Sequence, residues 1–124
     1  MDVLIQYTYL GEGYAMEYES VRRTPRYPLI VDIEVTDMQL ESQIRARTKM
    51  LSQFGCGVDT AERFPKGTPV RIKLSHQGAE VRALARVVYS SSDHGMGVVF
   101  TSVEREDERT LELWIAGLVS APIR

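Results

Sequence analysis

The middle of the chain alternates between apolar and polar residues, and this period of two constrains the fold more than any other feature. Four runs show the alternation, at residues 32–36, 44–49, 70–75 and 80–89, and a shorter apolar run covers 96–101. Because successive strand side chains point to opposite faces, each run predicts a strand with one face in a core. In the longest run, Tyr89 is predicted to share the inward face with Val81 and Val87. Turn residues at 64–67, 76–78 and 92–95 separate the runs, so the pattern predicts an antiparallel, mainly all-β barrel or sandwich.

One helix is predicted at the end of the chain. Its apolar stripe falls at helical spacing and consists of Leu111, Trp114, Ile115 and Leu118. Thr101 and Glu104 have the spacing of a capping box, with Ser102 as an alternative cap. The stripe predicts packing across one end of the barrel or against a second copy of the chain. The sequence is therefore compatible with a monomer or with a homodimer.

The length of 124 residues fits one domain. Residues 1–20 are treated as an N-terminal extension that forms a hairpin or an arm, because residues 3–10 are rich in strand-forming side chains and Gly11 and Gly13 mark a turn. Residues 21–120 are assigned to the barrel domain with its closing helix.

Composition excludes several classes of function. Fifteen basic and seventeen acidic residues give a formal charge of −2, whereas a protein that tracks DNA or RNA usually carries a basic excess. No nucleic-acid partner is expected, and any anion site must be local. No apolar run approaches the roughly 20 residues that cross a bilayer, so no membrane insertion is expected.

The single cysteine and the two histidines predict no chemistry. Cys56 has no second cysteine for a disulfide or a metal cluster, and it is predicted to be a small buried side chain. This usage fits a reducing, cytoplasmic compartment. His76 and His94 lie in predicted turns without metal-ligand spacing. We expect no metal, no cofactor and no catalytic set, and a hydrolase or other enzyme has no positive support.

Two short motifs on either side of the first predicted strand can bind an anionic ligand. Arg22, Arg23 and Arg26 lie within five residues, and each guanidinium matches phosphate oxygens or the O6 and N7 acceptors of guanine in two-point contact. Ser52 and Gly55 form a Ser-x-x-Gly motif, in which the serine supplies a hydroxyl and the glycine-containing turn lets the backbone approach a ligand closely. A compact ligand with two phosphates and two guanines would satisfy this set.

The order of these motifs resembles the PilZ family. That family has an Arg-x-x-x-Arg motif, a first strand, an Asp/Asn-x-Ser-x-x-Gly motif, further strands and a closing helix, and the resemblance covers about residues 21–118. It implies a small PilZ-like β-barrel that binds cyclic di-GMP. Arg22 and Arg26 would contact phosphates and guanine edges with Arg23 as a helper. Ser52 would hydrogen-bond near a guanine, and Gly55 would permit the tight turn. Binding would order the arginine segment and signal to an unidentified downstream protein.

One position departs from the family pattern. Met50 stands where the family has Asp or Asn, and methionine offers a guanine only apolar contact and a weak acceptor. Losing that hydrogen bond should cost on the order of 1–3 kcal/mol, or roughly tenfold to a hundredfold in affinity. Two hypotheses follow: a non-enzymatic cyclic di-GMP receptor, or a degenerate PilZ domain that binds no nucleotide and acts as a protein-interaction adaptor.

Overall fold

The computed structural model describes residues 26–119. It contains six strands followed by a helix: β1 (Asp32–Asp37), β2 (Gln43–Leu51), β3 (Gly55–Asp59), β4 (Pro69–His76), β5 (Ala79–Ser91), β6 (Gly95–Val103) and α1 (Arg105–Val119). The expectation for residues 1–20 concerns a part of the chain outside the described residues. The side chain of Leu118 in the predicted helical stripe also lies outside them.

The six strands form one closed antiparallel barrel in the order β1-β2-β3-β6-β5-β4, and β4 pairs with β1 to close it. The predicted antiparallel barrel with a C-terminal helix is therefore confirmed. Helix α1 packs against β5, and its Leu111 and Ile115 are buried in the barrel core, while Trp114 packs against that core and meets the His76 ring edge-on.

The core is built from the inward positions of the alternating runs. Its fully buried members include Val35, Ile72, Leu74, Val81, Val87 and Met96. Gln77 and Gly78, both with positive φ, make the two-residue turn between β4 and β5, as the His76-Gln77-Gly78 sequence predicts. The turn residues and the hydrophobic alternation thus favour the same register between β4 and β5.

Strand β3 is absent from the sequence prediction. Its sequence, Gly-Cys-Gly-Val-Asp, has glycine at alternate positions, and glycine is depleted in strands. The other alternate positions, Cys56 and Val58, are nonetheless buried in the core. Pairing with β2 and β6 on both edges holds β3 in the sheet despite its weak local preference.

The predicted helix cap is wrong. Thr101 and Ser102 belong to β6, which continues to Val103, and Ser102 pairs with Leu84 of β5. The helix begins at Arg105, and the carbonyl of Glu104 accepts the first turn's hydrogen bond from Glu108. Sheet pairing over the last residues of β6 therefore overrides the capping pattern. The acidic first turn itself is present, where it suits the helix dipole.

The segment before β1 is tied to β2 by hydrogen bonds. Tyr27 and Leu51 exchange two backbone bonds of 2.9 Å each. Farther along, the Thr48 hydroxyl donates to the carbonyl of Leu29 at 2.8 Å and accepts from the amide of Val31 at 2.9 Å. Thr48 is only 1% exposed, so water cannot replace these bonds. The chain that carries Arg26 is therefore held beside the end of β2.

Replacing Thr48 by valine should loosen this segment. The Thr48→Val variant keeps the shape but leaves two backbone groups unpaired, at a cost of about 1–3 kcal/mol in unfolding free energy. Urea denaturation measures the loss, and hydrogen exchange should show reduced protection of the Val31 amide. Thr48→Ser, which retains the hydroxyl, should keep that protection. A Thr48→Val protein with unchanged stability and unchanged Val31 exchange would contradict the assignment.

Candidate functional site

Two β-bulges turn a pair of side chains to the outside of the barrel. The β2–β3 register shifts between Thr48 and Met50, and the β5–β6 register shifts between Val87 and Tyr89. A bulge inserts one extra residue and so reverses the face to which the following side chains point. The predicted inward position of Tyr89 is accordingly wrong: Val87 is buried, whereas Tyr89 is 41% exposed.

Met50 and Tyr89 are the ends of one row that crosses four strands. Met50 pairs with Gly57, Gly57 with Gly97, and Gly97 with Tyr89. Directly paired residues share a face of the sheet, so all four lie on the outer wall. The two central positions lack side chains, which leaves a depression between β2 and β5.

The ring of Tyr89 uses the room that the glycines provide. A Cβ atom at Gly97 would collide with three carbons of the Tyr89 ring, and a Cβ at Gly57 would stand 3.3 Å from its hydroxyl oxygen. The ring therefore extends from β5 across β6 towards β3. Its exposed fraction shows that part of the aromatic surface remains open to a ligand.

A pocket of about 470 Å³ surrounds this row, a volume within the usual range for small-molecule sites. It brings together side chains from both sequence motifs and from strands that the motifs do not include. The lining residues are Arg26, Met50, Leu51, Ser52, Gly55, Cys56, Gly57, Lys66, Val88, Tyr89, Gly97, Val98 and Val99. Four of the six candidate residues named from the sequence, namely Arg26, Met50, Ser52 and Gly55, thus line one pocket.

The other two candidates, Arg22 and Arg23, lie outside the described residues. Arg26 is exposed, and no acidic side chain within residues 26–119 pairs with it. Because Tyr27 is bonded to Leu51, Arg26 lines the pocket from the β2 side. A guanidinium that is exposed and has no carboxylate partner among the described residues can bind an incoming anion without breaking an ion pair to any of them.

Ser52 and Gly55 shape the turn between β2 and β3. The Ser52 hydroxyl accepts a hydrogen bond from the Phe54 amide at 3.1 Å and donates one to the Gly55 carbonyl at 3.3 Å, and the residue is 5% exposed. The backbone amide of Ser52 also donates to the Gly55 carbonyl at 2.9 Å. The hydroxyl thus holds the loop that forms one side of the pocket.

The expected reason for Gly55 is corrected by the structure. Its φ is not in the left-handed region, so the turn does not require glycine there. A Cβ atom at this position would instead collide with the carbonyl oxygen of Val98. Gly55 is needed for the close approach of β3 and β6, which form the floor of the pocket.

Two ionisable groups beside the pocket stay neutral at neutral pH. Burial raises the pKa of the Cys56 thiol to about 12, so this cysteine contributes packing rather than reactivity. Partial burial also raises the pKa of the Tyr89 phenol, with Cys56 acting in the same direction and the charge of Arg26 in the opposite one. The phenol is therefore a neutral hydrogen-bond donor within electrostatic range of Arg26.

Sequence reasoning missed Lys66, Tyr89 and the glycine pair of the row. The pair had a signal, since Gly57 and Gly97 each occur inside an apolar run, where glycine often marks a close approach. No sequence signal marks Lys66 or the outward direction of Tyr89, because the first depends on how its loop is bonded to β5 and the second depends on strand register.

Within the described range, no group of three or more His, Cys, Asp or Glu could hold a metal ion. No helix there is long and apolar enough to cross a membrane.

Comparison with known proteins identifies the fold. The PilZ domain model matches residues 20–117. The PilZ domain of CeSA from a cellulose-synthesising bacterium is 21% identical with a TM-score of 0.62, over 77% of this chain and 99% of that one. The PilZ domain of Escherichia coli YcgR, solved with c-di-GMP, is 21% identical with a TM-score of 0.63, over 79% of this chain and 91% of that one.

A third solved structure is that of the Bacillus subtilis inhibitor of motility MotI/DgrA. It is 16% identical with a TM-score of 0.63, over 82% of this chain and 53% of that one, so this chain spans about half its length. No curated protein matches the sequence. The resemblance drawn from the two motifs is confirmed: because the family match covers most of the sequence, the chain belongs to the PilZ domain family.

Proposed function

We propose that this chain is a receptor that binds cyclic di-GMP in the pocket between the two bulges. The observation that carries the proposal is the convergence of Arg26 with Met50, Ser52 and Gly55 around one outer depression, although strands β1 and β2 separate Arg26 from Ser52 along the chain. The E. coli YcgR domain solved with c-di-GMP has the same fold, which supports this choice of ligand.

The ligand's two kinds of chemistry match two kinds of surface. Arg26 offers a planar fork of donors to a phosphate or to the O6 and N7 edge of a guanine. Tyr89 offers an aromatic face on which a guanine can stack, a contact worth about 1–3 kcal/mol per base in nucleotide sites. Arg22 and Arg23 would add further guanidiniums to the same ligand. Because the chain as a whole carries a formal charge of −2, the attraction for an anionic ligand has to come from this local concentration of cations.

Binding would couple the segment before β1 to the barrel wall. A ligand held by Arg26 on one side and by Tyr89 on the other would join these two parts of the molecule and change the surface offered to a partner protein. Such a switch requires contacts that exist in one state and not in the other, and the arginine contacts meet that requirement. The downstream partner would be a protein that recognises the ligand-bound form.

Removing the arginines should abolish binding. Arg26→Ala should weaken the affinity for cyclic di-GMP about tenfold to a hundredfold, because charge-assisted hydrogen bonds are lost. In Arg22→Ala/Arg26→Ala, the heat of binding in calorimetry should vanish. Arg63→Ala is a matched control, since it removes an exposed arginine that does not line the pocket. A wild-type protein that binds no ligand at roughly 100 µM would instead favour the protein-interaction adaptor.

Restoring the family residue at position 50 should strengthen binding. In Met50→Asn or Met50→Asp, a polar group would face a guanine across the row from Tyr89, and one new hydrogen bond should raise the affinity about tenfold. Calorimetry on both variants measures the change. If neither variant binds more tightly than wild type, position 50 does not lie against the guanine edge.

The aromatic ring at position 89 should matter more than its hydroxyl. Tyr89→Leu should lower the affinity about tenfold through loss of stacking, whereas Tyr89→Phe should stay within a few-fold of wild type. Thermal unfolding of each variant is the control for stability. Equal affinities of the leucine and phenylalanine variants would refute a stacking role.

A further inference from the structure

Lys66 is a second exposed cation on the same pocket. It lies in the loop that joins β3 to β4, and it lines the depression together with Arg26 and Tyr89. Within residues 26–119, no acidic side chain or carbonyl oxygen pairs with its ammonium group. The surrounding sequence, Phe-Pro-Lys-Gly, reads as an ordinary turn and gives no sign of this placement.

The loop presents Lys66 from a fixed backbone. The amide of Gly67 donates to the Val87 carbonyl at 2.7 Å, and the Val87 amide donates to the Thr68 carbonyl at 3.0 Å. The Thr68 hydroxyl donates to the Pro65 carbonyl at 2.6 Å, and the Arg86 guanidinium donates to the Gly67 carbonyl at 2.9 Å. These bonds attach the residues after Lys66 to β5, next to the bulge that turns Tyr89 outwards, and tie Pro65, the residue before it, to Thr68.

Arg26 and Lys66 approach the pocket from different sides. Arg26 is held beside the end of β2 by the Tyr27–Leu51 pair, and Lys66 is held beside β5 by the Gly67–Val87 bond. Strands β3 and β6 lie between β2 and β5 in the barrel, which separates these two strands by roughly 14 Å at ~4.8 Å per strand. Two long cationic side chains thus border the depression at its two margins.

Other nearby cations are already engaged. The Lys49 ammonium donates to the carbonyl of His94, and Arg86 donates to Gly67. Among the described residues, Arg26 and Lys66 are the two cations that line this pocket. A ligand with two separated negative charges would contact both cations without breaking a bond to any residue that the structure describes.

We propose that Lys66 binds the second phosphate of the dinucleotide, opposite the phosphate that Arg26 contacts. This inference rests on the proposed function, and it makes the ligand site bipartite: the arginine segment supplies one anion contact and the β3–β4 loop supplies the other. A ligand with a single phosphate would engage only one of the two.

Calorimetric titration of the full chain with cyclic di-GMP tests this. Lys66→Ala should weaken binding about tenfold and make the affinity less sensitive to added salt, because one charge contact is lost. Arg63→Ala is the matched control: it removes one exposed positive charge from the same loop but not from the pocket, and its affinity should stay within twofold of wild type. Both positions are exposed, so neither change should alter folding, which thermal unfolding verifies.

The double variant Arg26→Ala/Lys66→Ala tests whether the phosphates are separate. Contacts to different phosphates should give losses that multiply, whereas two contacts to the same phosphate should not. Equal affinities of Lys66→Ala and Arg63→Ala, or strongly non-multiplicative losses, would overturn the Lys66 inference while leaving the receptor proposal in place. A wild-type chain that fails to bind would overturn both.

Discussion

The site depends on two single-residue insertions in the barrel. On regular strands, the side chains of Met50 and Tyr89 would follow the inward alternation and point into the core. The bulges after Thr48 and Val87 turn them outwards, and the intervening partners Gly57 and Gly97 leave space between them. The bulge in β5 thus places the Tyr89 ring on the outer wall of the barrel instead of in the core. A planar ligand can stack on the ring there.

The hydrogen bonds around this row hold the remaining parts in place. Thr48, next to the first bulge, fixes the segment that carries Arg26, and Ser52 holds the loop after β2. Val87, next to the second bulge, binds the loop that carries Lys66. Each cation is therefore positioned by the backbone that also sets the outward direction of the row. Changes in ligand affinity and changes in local strand pairing should be coupled through these positions.

Much of the fold follows from the sequence, because four of the six strands have a period of two, β6 is a short apolar run, and the closing helix has a stripe at helical spacing. The motifs also identify Arg26, Met50, Ser52 and Gly55 before any coordinates are known. The rest depends on register. Nothing in Val87-Val88-Tyr89 shows which residue is the inserted one, since all three suit either face of a strand. Strand β3 cannot be read from its glycine-rich sequence, and Thr101 lies in β6 because Ser102 and Val103 beyond it pair with β5. Lys66 lines the pocket because its loop is bonded to β5, a contact that the sequence does not reveal.

The most direct test of the account is an NMR titration of the uniformly ¹⁵N-labelled chain with cyclic di-GMP. The amides of Arg26, Gly57, Gly97 and Tyr89 should shift together and saturate with one dissociation constant, while those on the outer face of α1 should remain unchanged. This outcome would locate the ligand on the bulged row of the outer wall. Saturable shifts confined to α1 or to the β1–β2 hairpin, with the row unaffected, would contradict the central claim.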